Sequence, residues 1–203
     1  MNRRTMLTTS TLLASGLGIG AGVHAAEAQS TDRPIRRKDR ALTTEEAYEV
    51  IKHTPHAVLC TTDASGQPYG VPISPVLVGD YLVFHGAADP KGRKWENMRQ
   101  NPKVSVTFVG RGETASDELP GEFSVNYASA ILTGKAMPVT DEAEKKKLAT
   151  AIAMRHVPQA GAEGIEKYYQ AGNKGIQVWK IKIEKVTGKA RNKQGYFNKI
   201  KAG

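Results

Sequence analysis

Apolar residues along this chain alternate with polar ones far more often than they recur at helical spacing, and the alternating stretches come in hairpin order. Lys103 to Val109 sets Val104, Val106 and Phe108 against Ser105 and Thr107, and Ile176 to Val186 sets Trp179, Ile181 and Ile183 against Lys180, Lys182 and Glu184. Both read as half-buried strands. Ala57 to Thr62 is a further apolar run, turned back by Asp63-Ala64-Ser65-Gly66 into a Gln67–Val78 strand. Gly79-Asp80 then separates Val76-Leu77-Val78 from Tyr81-Leu82-Val83-Phe84, a two-residue hairpin signal in which Gly supplies a positive φ. Ser124 to Val139 is a long strand in which Gly134 marks a bulge or barrel bend.

Helical signals are fewer. Thr43-x-x-Glu46 is a capping box ahead of Ala47, Val50 and Ile51, and Pro55 closes that helix. Asp89-Pro90 reads as N-cap and first helical residue, with Lys91, Arg93 and Lys94 in or near the first turn and Asn101-Pro102 as the stop. Asp141-x-x-Glu144 caps a helix carrying Leu148 and Ile152 that ends before Pro158, with Lys145-Lys146-Lys147 as a solvated face. A weaker helix covers Ala162 to Gln170. Gly110 to Gly121 reads as an exposed loop, and residues 192–203 as a basic tail. Five or six strands in meander order with accessory helices predict a mainly β, α+β domain built on an antiparallel barrel. A parallel α/β fold would need a helix after nearly every strand.

The chain has 203 residues, 39% hydrophobic and 24% charged, enough for one domain with a core that needs no disulfide. The net charge of +9 is spread out and the aromatics, 6% of residues, are not interleaved with it in a stacking pattern, so nucleic acid is not an expected partner. Residues 1–28 read as an export signal: Arg3-Arg4, a diluted apolar stretch from Met6 to Val23, and Ala26-Glu27-Ala28 for signal peptidase. The stretch is too short and too weakly apolar for a stable membrane anchor. The arginine pair resembles a twin-arginine signal, with a general secretory signal as the alternative, and either predicts a periplasmic protein. Residues 29–41 form a basic arm able to wrap a partner subunit, ahead of a domain over 42–191. Cys60, the single cysteine, sits in an apolar run and reads as a buried, inert thiol.

No phosphate-binding P-loop, dinucleotide glycine fingerprint or zinc-protease motif is present, and His53, His56, His85 and His156 lack metal-ligand spacing. No metal is expected. His85 stands out because it closes an apolar strand beside Gly86, where a ligand could approach the backbone. The alternative is a strand-end histidine satisfied by backbone. Lys91, Arg93 and Lys94 gather at an expected helix N-terminus, where cations oppose the macrodipole unless an anion joins them.

The run VPISPVLVGDYLVFHGAA, Lys94-x-x-Asn97, Asn101-Pro102-Lys103-Val104-Ser105-Val106, NYASAILTGKA and IEKVTGKAR together resemble the flavin-binding split-barrel proteins related to pyridoxamine 5′-phosphate oxidase, over roughly residues 36–191. Within them the chain most resembles the 5-nitroimidazole resistance (Nim-type) branch. The resemblance implies a six-stranded split β-barrel and a homodimer with one FMN per subunit at the interface. It places Val71, Pro72, Ile73 and Ser74 along the isoalloxazine, Lys94 with Lys91 or Arg93 at the phosphate, Tyr127 and Ser129 near the cofactor, and His85 on the substrate side of the ring. The segment Ala88 to Arg93 is longer than the family's usual Gly-Lys link. The implied activity is an FMN-dependent reductase acting on a small electron-poor acceptor such as a nitroaromatic. The alternative is a non-catalytic barrel that holds flavin or haem. The electron donor is open, because a nicotinamide would be scarce outside the cytoplasm and a quinone, redox protein or other source would be needed.

Overall fold

The computed structural model describes residues 33–115 and 124–202. The expected export signal, residues 29–32 of the expected arm and residues 116–121 of the expected loop lie outside the described residues. Among the described residues seven strands and five α-helices follow one another as α1 (Thr44–Lys52), β1 (Ala57–Thr62), β2 (Pro68–Ile73), β3 (Val76–Val78), β4 (Tyr81–Ala87), α2 (Arg93–Gln100), β5 (Lys103–Ala115), β6 (Ser124–Pro138), α3 (Glu142–His156), α4 (Gly161–Gly172), β7 (Ile176–Ala190) and α5 (Lys193–Ala202).

All strands pair antiparallel in one sheet of order β2-β1-β5-β6-β7-β4-β3. The two edge strands, β2 and β3, are chain neighbours joined only by Ser74 and Pro75. Three peptide units reach no more than ~11 Å, so the sheet has to curl until its edges face each other. The result is an open, split barrel. The single strand expected over Gln67–Val78 is therefore two, and the strand count is seven where six were expected, because the chain breaks at Ser74-Pro75 to pass from one sheet edge to the other.

Local chemistry accounts for the joints. Thr43 Oγ1 accepts from the Glu46 amide at 3.2 Å while Glu46 accepts from the Thr43 amide at 2.9 Å, completing the capping box of α1. Gly79 sits at φ +55° in the two-residue β3–β4 turn. The β6–β7 register shifts between Thr133 and Gly134, and a Cβ at 134 would collide with the Lys182 carbonyl, so glycine is required there.

The inner face of the sheet holds the main core, with Leu59, Phe84, Val106, Phe108, Leu132, Trp179 and Ile181 closed in by Ala47, Val50 and Ile51 of α1 and by Trp95 and Met98 of α2. A second, smaller core lies on the outer face, where Leu148 and Ile152 of α3 pack with Val83, Val178 and Val139. The rest of that outer face carries exposed apolar side chains. Val58, Val109 and Ile131 are 40%, 61% and 43% exposed.

Several expectations are corrected. Asp89 is not an N-cap: α2 starts at Arg93 behind Gly92, and Asp89 Oδ1 accepts from the Lys91 amide at 2.9 Å, making a side-chain-closed turn before the helix. Residues 110–115 of the expected loop continue β5 past a register shift between Val109 and Arg111. Residues 193–202 form α5 rather than a tail, anchored by the buried Tyr196. Lys145 and Lys146 are not simply solvated; they reach the Asn173 carbonyl at 2.8 Å and Glu166 at 2.7 Å, tying α3 to α4. Cys60 is half-buried on the outer face rather than in the core, because Leu59 and Thr61 take the inward positions of β1.

Candidate functional site

Alternation along β4 points Phe84 into the core and His85 outward. The next residue has no room for a side chain. A Cβ at Gly86 would meet Cζ2 of Trp95 at 2.5 Å, so the glycine lets α2 lie directly on the end of β4. Trp95 is locked there: its indole Nε1–H donates to the Ala87 carbonyl at 2.9 Å, and its ring stacks on Trp179 at 5.4 Å and on Phe84 at 6.1 Å.

This contact fixes where the basic residues of α2 go. Lys94, half-buried, holds its Nζ 4.4 Å above the Trp95 ring, and its pKa is lowered because burial disfavours the ammonium. No carboxylate pairs with it among the described residues. Arg93 turns the other way, 3.6 Å from Asp63 and 4.7 Å over the Tyr69 ring. Lys91 is exposed in the turn before the helix. Of the three cations the sequence grouped, Lys94 alone stands beside His85.

His85 opens into a cavity of about 930 Å³ between the barrel and the α3–α4 pair. Although its edge reaches solvent, the protein crowding it lowers its pKa below 6.5, and the neighbouring His156 and Lys94 act in the same direction. His56 and His156 line the same cavity. His156 Nε2 lies 3.3 Å from the Pro75 carbonyl, which can only accept, so that nitrogen carries the proton. His56 Nδ1 is 3.0 Å from Ser74 Oγ, and the His56 and His156 rings stack at 6.2 Å with 16° between planes. Neither histidine is legible as a site residue in the sequence. They lie a hundred positions apart, one ahead of β1 and the other in the last turn of α3, and only the chain crossing at Ser74-Pro75 unites them.

The remaining site residues divide by parity. Pro72 and Ser74 face outward, whereas Ile73 is buried and Val71 packs against the core, so the side chains of those two are turned away from the outer face. Tyr127 and Ser129 stand on the outer face of β6 and do not line the cavity. From β6 to β2 the sheet crosses three ladders, a span of roughly 14 Å at ~4.8 Å per strand.

A profile of the pyridoxamine 5′-phosphate oxidase family matches residues 43–190. The chain belongs to this family. A search of curated proteins gives no match. Among solved structures, a candidate 5-nitroimidazole antibiotic resistance protein of Bacteroides thetaiotaomicron superposes with a TM-score of 0.60 at 22% identity, covering 73% of this chain and 85% of its own. A flavocytochrome of Azotobacter vinelandii gives 0.63 at 20% identity over 79% and 73% of the two chains. An FAD- and haem-binding protein of Mycobacterium smegmatis gives 0.60 at 19% over 74% and 72%. At these identities the likeness establishes the fold. In this pyridoxamine 5′-phosphate oxidase family member, the sheet curl and the α3–α4 cover together define one cleft with three imidazoles along its wall, and Lys94 neighbours His85 without lining the cleft.

Proposed function

We propose that the protein is a flavin-dependent reductase that holds FMN along β2 and passes electrons to a small electron-poor acceptor of the nitroaromatic type at His85. The observation that carries this reading is Lys94, a half-buried ammonium with no carboxylate partner, set beside an outward histidine at the mouth of a large apolar cavity. Such an amine fits an anionic phosphate, and the unpaired side of edge strand β2 offers backbone carbonyl and amide groups to a heterocycle's polar rim. When bound, the flavin supplies the electron-transfer chemistry. The chain's own part is to fix the ring against Pro72 and Ser74, to hold the phosphate at Lys94, and to present the His85 imidazole for orienting or protonating the acceptor. A lowered histidine pKa keeps that ring largely neutral near pH 7, able to donate one hydrogen bond and accept another.

The same reading takes the protein as a homodimer. Register sets Pro72, Val58, Thr107 and Ile131 in one row across the outer face, with Val109 and Ser129 in the next. This uncovered apolar face supports a second copy packing on it, which would bring Tyr127 and Ser129 toward the partner's FMN. Export to the periplasm, carried by the Arg3-Arg4 signal, would leave a quinol or a reduced redox protein as electron source.

Replacing His85 with alanine tests the role directly: flavin content should stay while turnover falls at least tenfold, and unchanged turnover would remove His85 from the chemistry. One observation favours a second reading, a haem-holding barrel: His56, His85 and His156 share one cavity, and imidazole is a common axial ligand. The visible spectrum of the natively exported protein decides, a flavin band against a haem band.

A further inference from the structure

The cavity beneath the α3–α4 pair has a composition that the reductase reading leaves unused. Its wall is largely apolar, with Ile152 of α3 and Ile165 and Tyr169 of α4 among the residues that line it. Its polar side chains are the imidazoles of His56, His85 and His156, the Arg155 guanidinium, the phenols of Tyr168 and Tyr169, and Ser74, Thr150 and Asn173, and no aspartate or glutamate lines it. Arg155 commits one nitrogen, Nη2, to the Lys52 carbonyl at 2.6 Å, leaving its other donors available. An apolar slot with donors and a fixed cation at its mouth, and without an opposing carboxylate, is selective by charge.

We propose that this cavity binds a flat aromatic acid, with the ring body between the α3–α4 pair and the barrel and the acidic group at the His56–His156–Arg155 end. The proposal deepens the reductase reading by giving the acceptor its class, and it rests on that reading only for the identification of the bound acid as the acceptor. Binding of the acid depends on the cavity alone. At about 930 Å³ the cavity exceeds what a single imidazole ring needs and suits a two- or three-ring molecule.

A pair of matched fluorescent probes tests the assignment. 1-Anilinonaphthalene-8-sulfonate carries an acidic group on a naphthylamine body, and N-phenyl-1-naphthylamine is its neutral counterpart. In a purely apolar cavity the neutral probe binds more tightly, because the sulfonate loses hydration. Titrated into the full protein at pH 7, with and without bound flavin, the sulfonate should instead bind about tenfold more tightly than the neutral probe, the worth of one charge-assisted hydrogen bond. Two variants locate the effect. Gly164→Leu projects a side chain into the cavity from a position where a Cβ meets only Ala160 Cβ at 3.5 Å, and should abolish the binding of both probes. Arg155→Met removes the fixed cation and should erase the charge preference while neutral binding persists. Equal or tighter binding of the neutral probe, or sulfonate binding untouched by Gly164→Leu in a folded variant, overturns the proposal. Flavin content is read separately from the absorbance near 450 nm, so loss of the reductase reading and loss of the aromatic-acid site give different results.

Discussion

An alanine at position 86 would place its Cβ 2.5 Å from Cζ2 of Trp95, 2.9 Å from its Cη2 and 3.0 Å from Nζ of Lys94. The lysine amine can swing aside, but the indole cannot, because it is buried between Trp179 and Phe84 and hydrogen-bonded to Ala87. Relief requires α2 to lift away from β4. Overpacking of this kind costs about 1–3 kcal/mol, and replacing glycine by alanine returns about 0.4–1 kcal/mol through a less flexible unfolded chain, since the φ here is not positive. The net loss should be about 1–2 kcal/mol, or a Tm lower by roughly 2–8 °C for a domain of this size. Urea unfolding of Gly86→Ala, Trp95→Leu and the double variant measures it. In the Trp95→Leu background the added methyl should cost almost nothing or stabilise, giving a coupling of at least about 1 kcal/mol. If Gly86→Ala is as stable as the parent, or if the two losses simply add, then the glycine is not there to seat Trp95.

Other expectations follow from the same geometry. If FMN binds as proposed, Lys94→Met should weaken it by roughly tenfold or more in a reconstitution titration, whereas Arg93→Met, which removes a cation engaged by Asp63 and Tyr69, should change it little. His85 has a folded pKa below its unfolded value of 6.5, so the unfolded chain takes up its proton first; stability should fall as pH drops from 6.5 toward the lowered folded pKa. In His85→Gln the slope of stability against pH across that window should be smaller, and an unchanged slope would show that His85 is not the titrating group. If two copies pack through the exposed face of the sheet as proposed, Val109→Glu or Ile131→Glu should leave the protein monomeric in light scattering without loss of helix or strand signal in circular dichroism. A dimer that persists in both variants would place the interface elsewhere.

The elements legible from sequence were those whose signals are local and redundant. The Thr43–Glu46 box, the Gly79-Asp80 turn and the alternation through Lys103–Val109 each specify a conformation within a few residues, and each is present. Asp89-Pro90 misled because an aspartate ahead of a proline closes a turn as readily as it opens a helix; here the helix waits for Gly92, whose lack of a side chain admits the Trp95 ring edge. Helix α5 left little trace because its helical form rests on tertiary packing, with Tyr196 entering the space beside Gly110 and Phe197 and Ile200 lying against the core. At the site, His85 was legible from its place at a strand end, but His56 and His156 were not. Their proximity is a property of the barrel's curl, which brings the α3 terminus against the Ser74-Pro75 crossing, and no spacing rule reaches across that distance.

The open edge of the barrel has one more consequence. Among the described residues β2 pairs only with β1, so one side of it faces outward, a geometry that in many sheets recruits strands from other chains and seeds aggregation. Pro68 and Pro72 stand four apart on β2, opposite Thr62 and Val58, and so share one hydrogen-bonding side of the strand. A strand tolerates proline best where its missing N–H faces away from the ladder, which leaves the open side short of two of the donors a fourth-party strand would need. The edge can then serve a compact ligand, which needs only a few polar contacts, while refusing a polypeptide, which needs a continuous row. Selectivity between small molecule and peptide would in that case be written into the backbone itself, and a chain with valines at 68 and 72 should form β-rich aggregates on concentration.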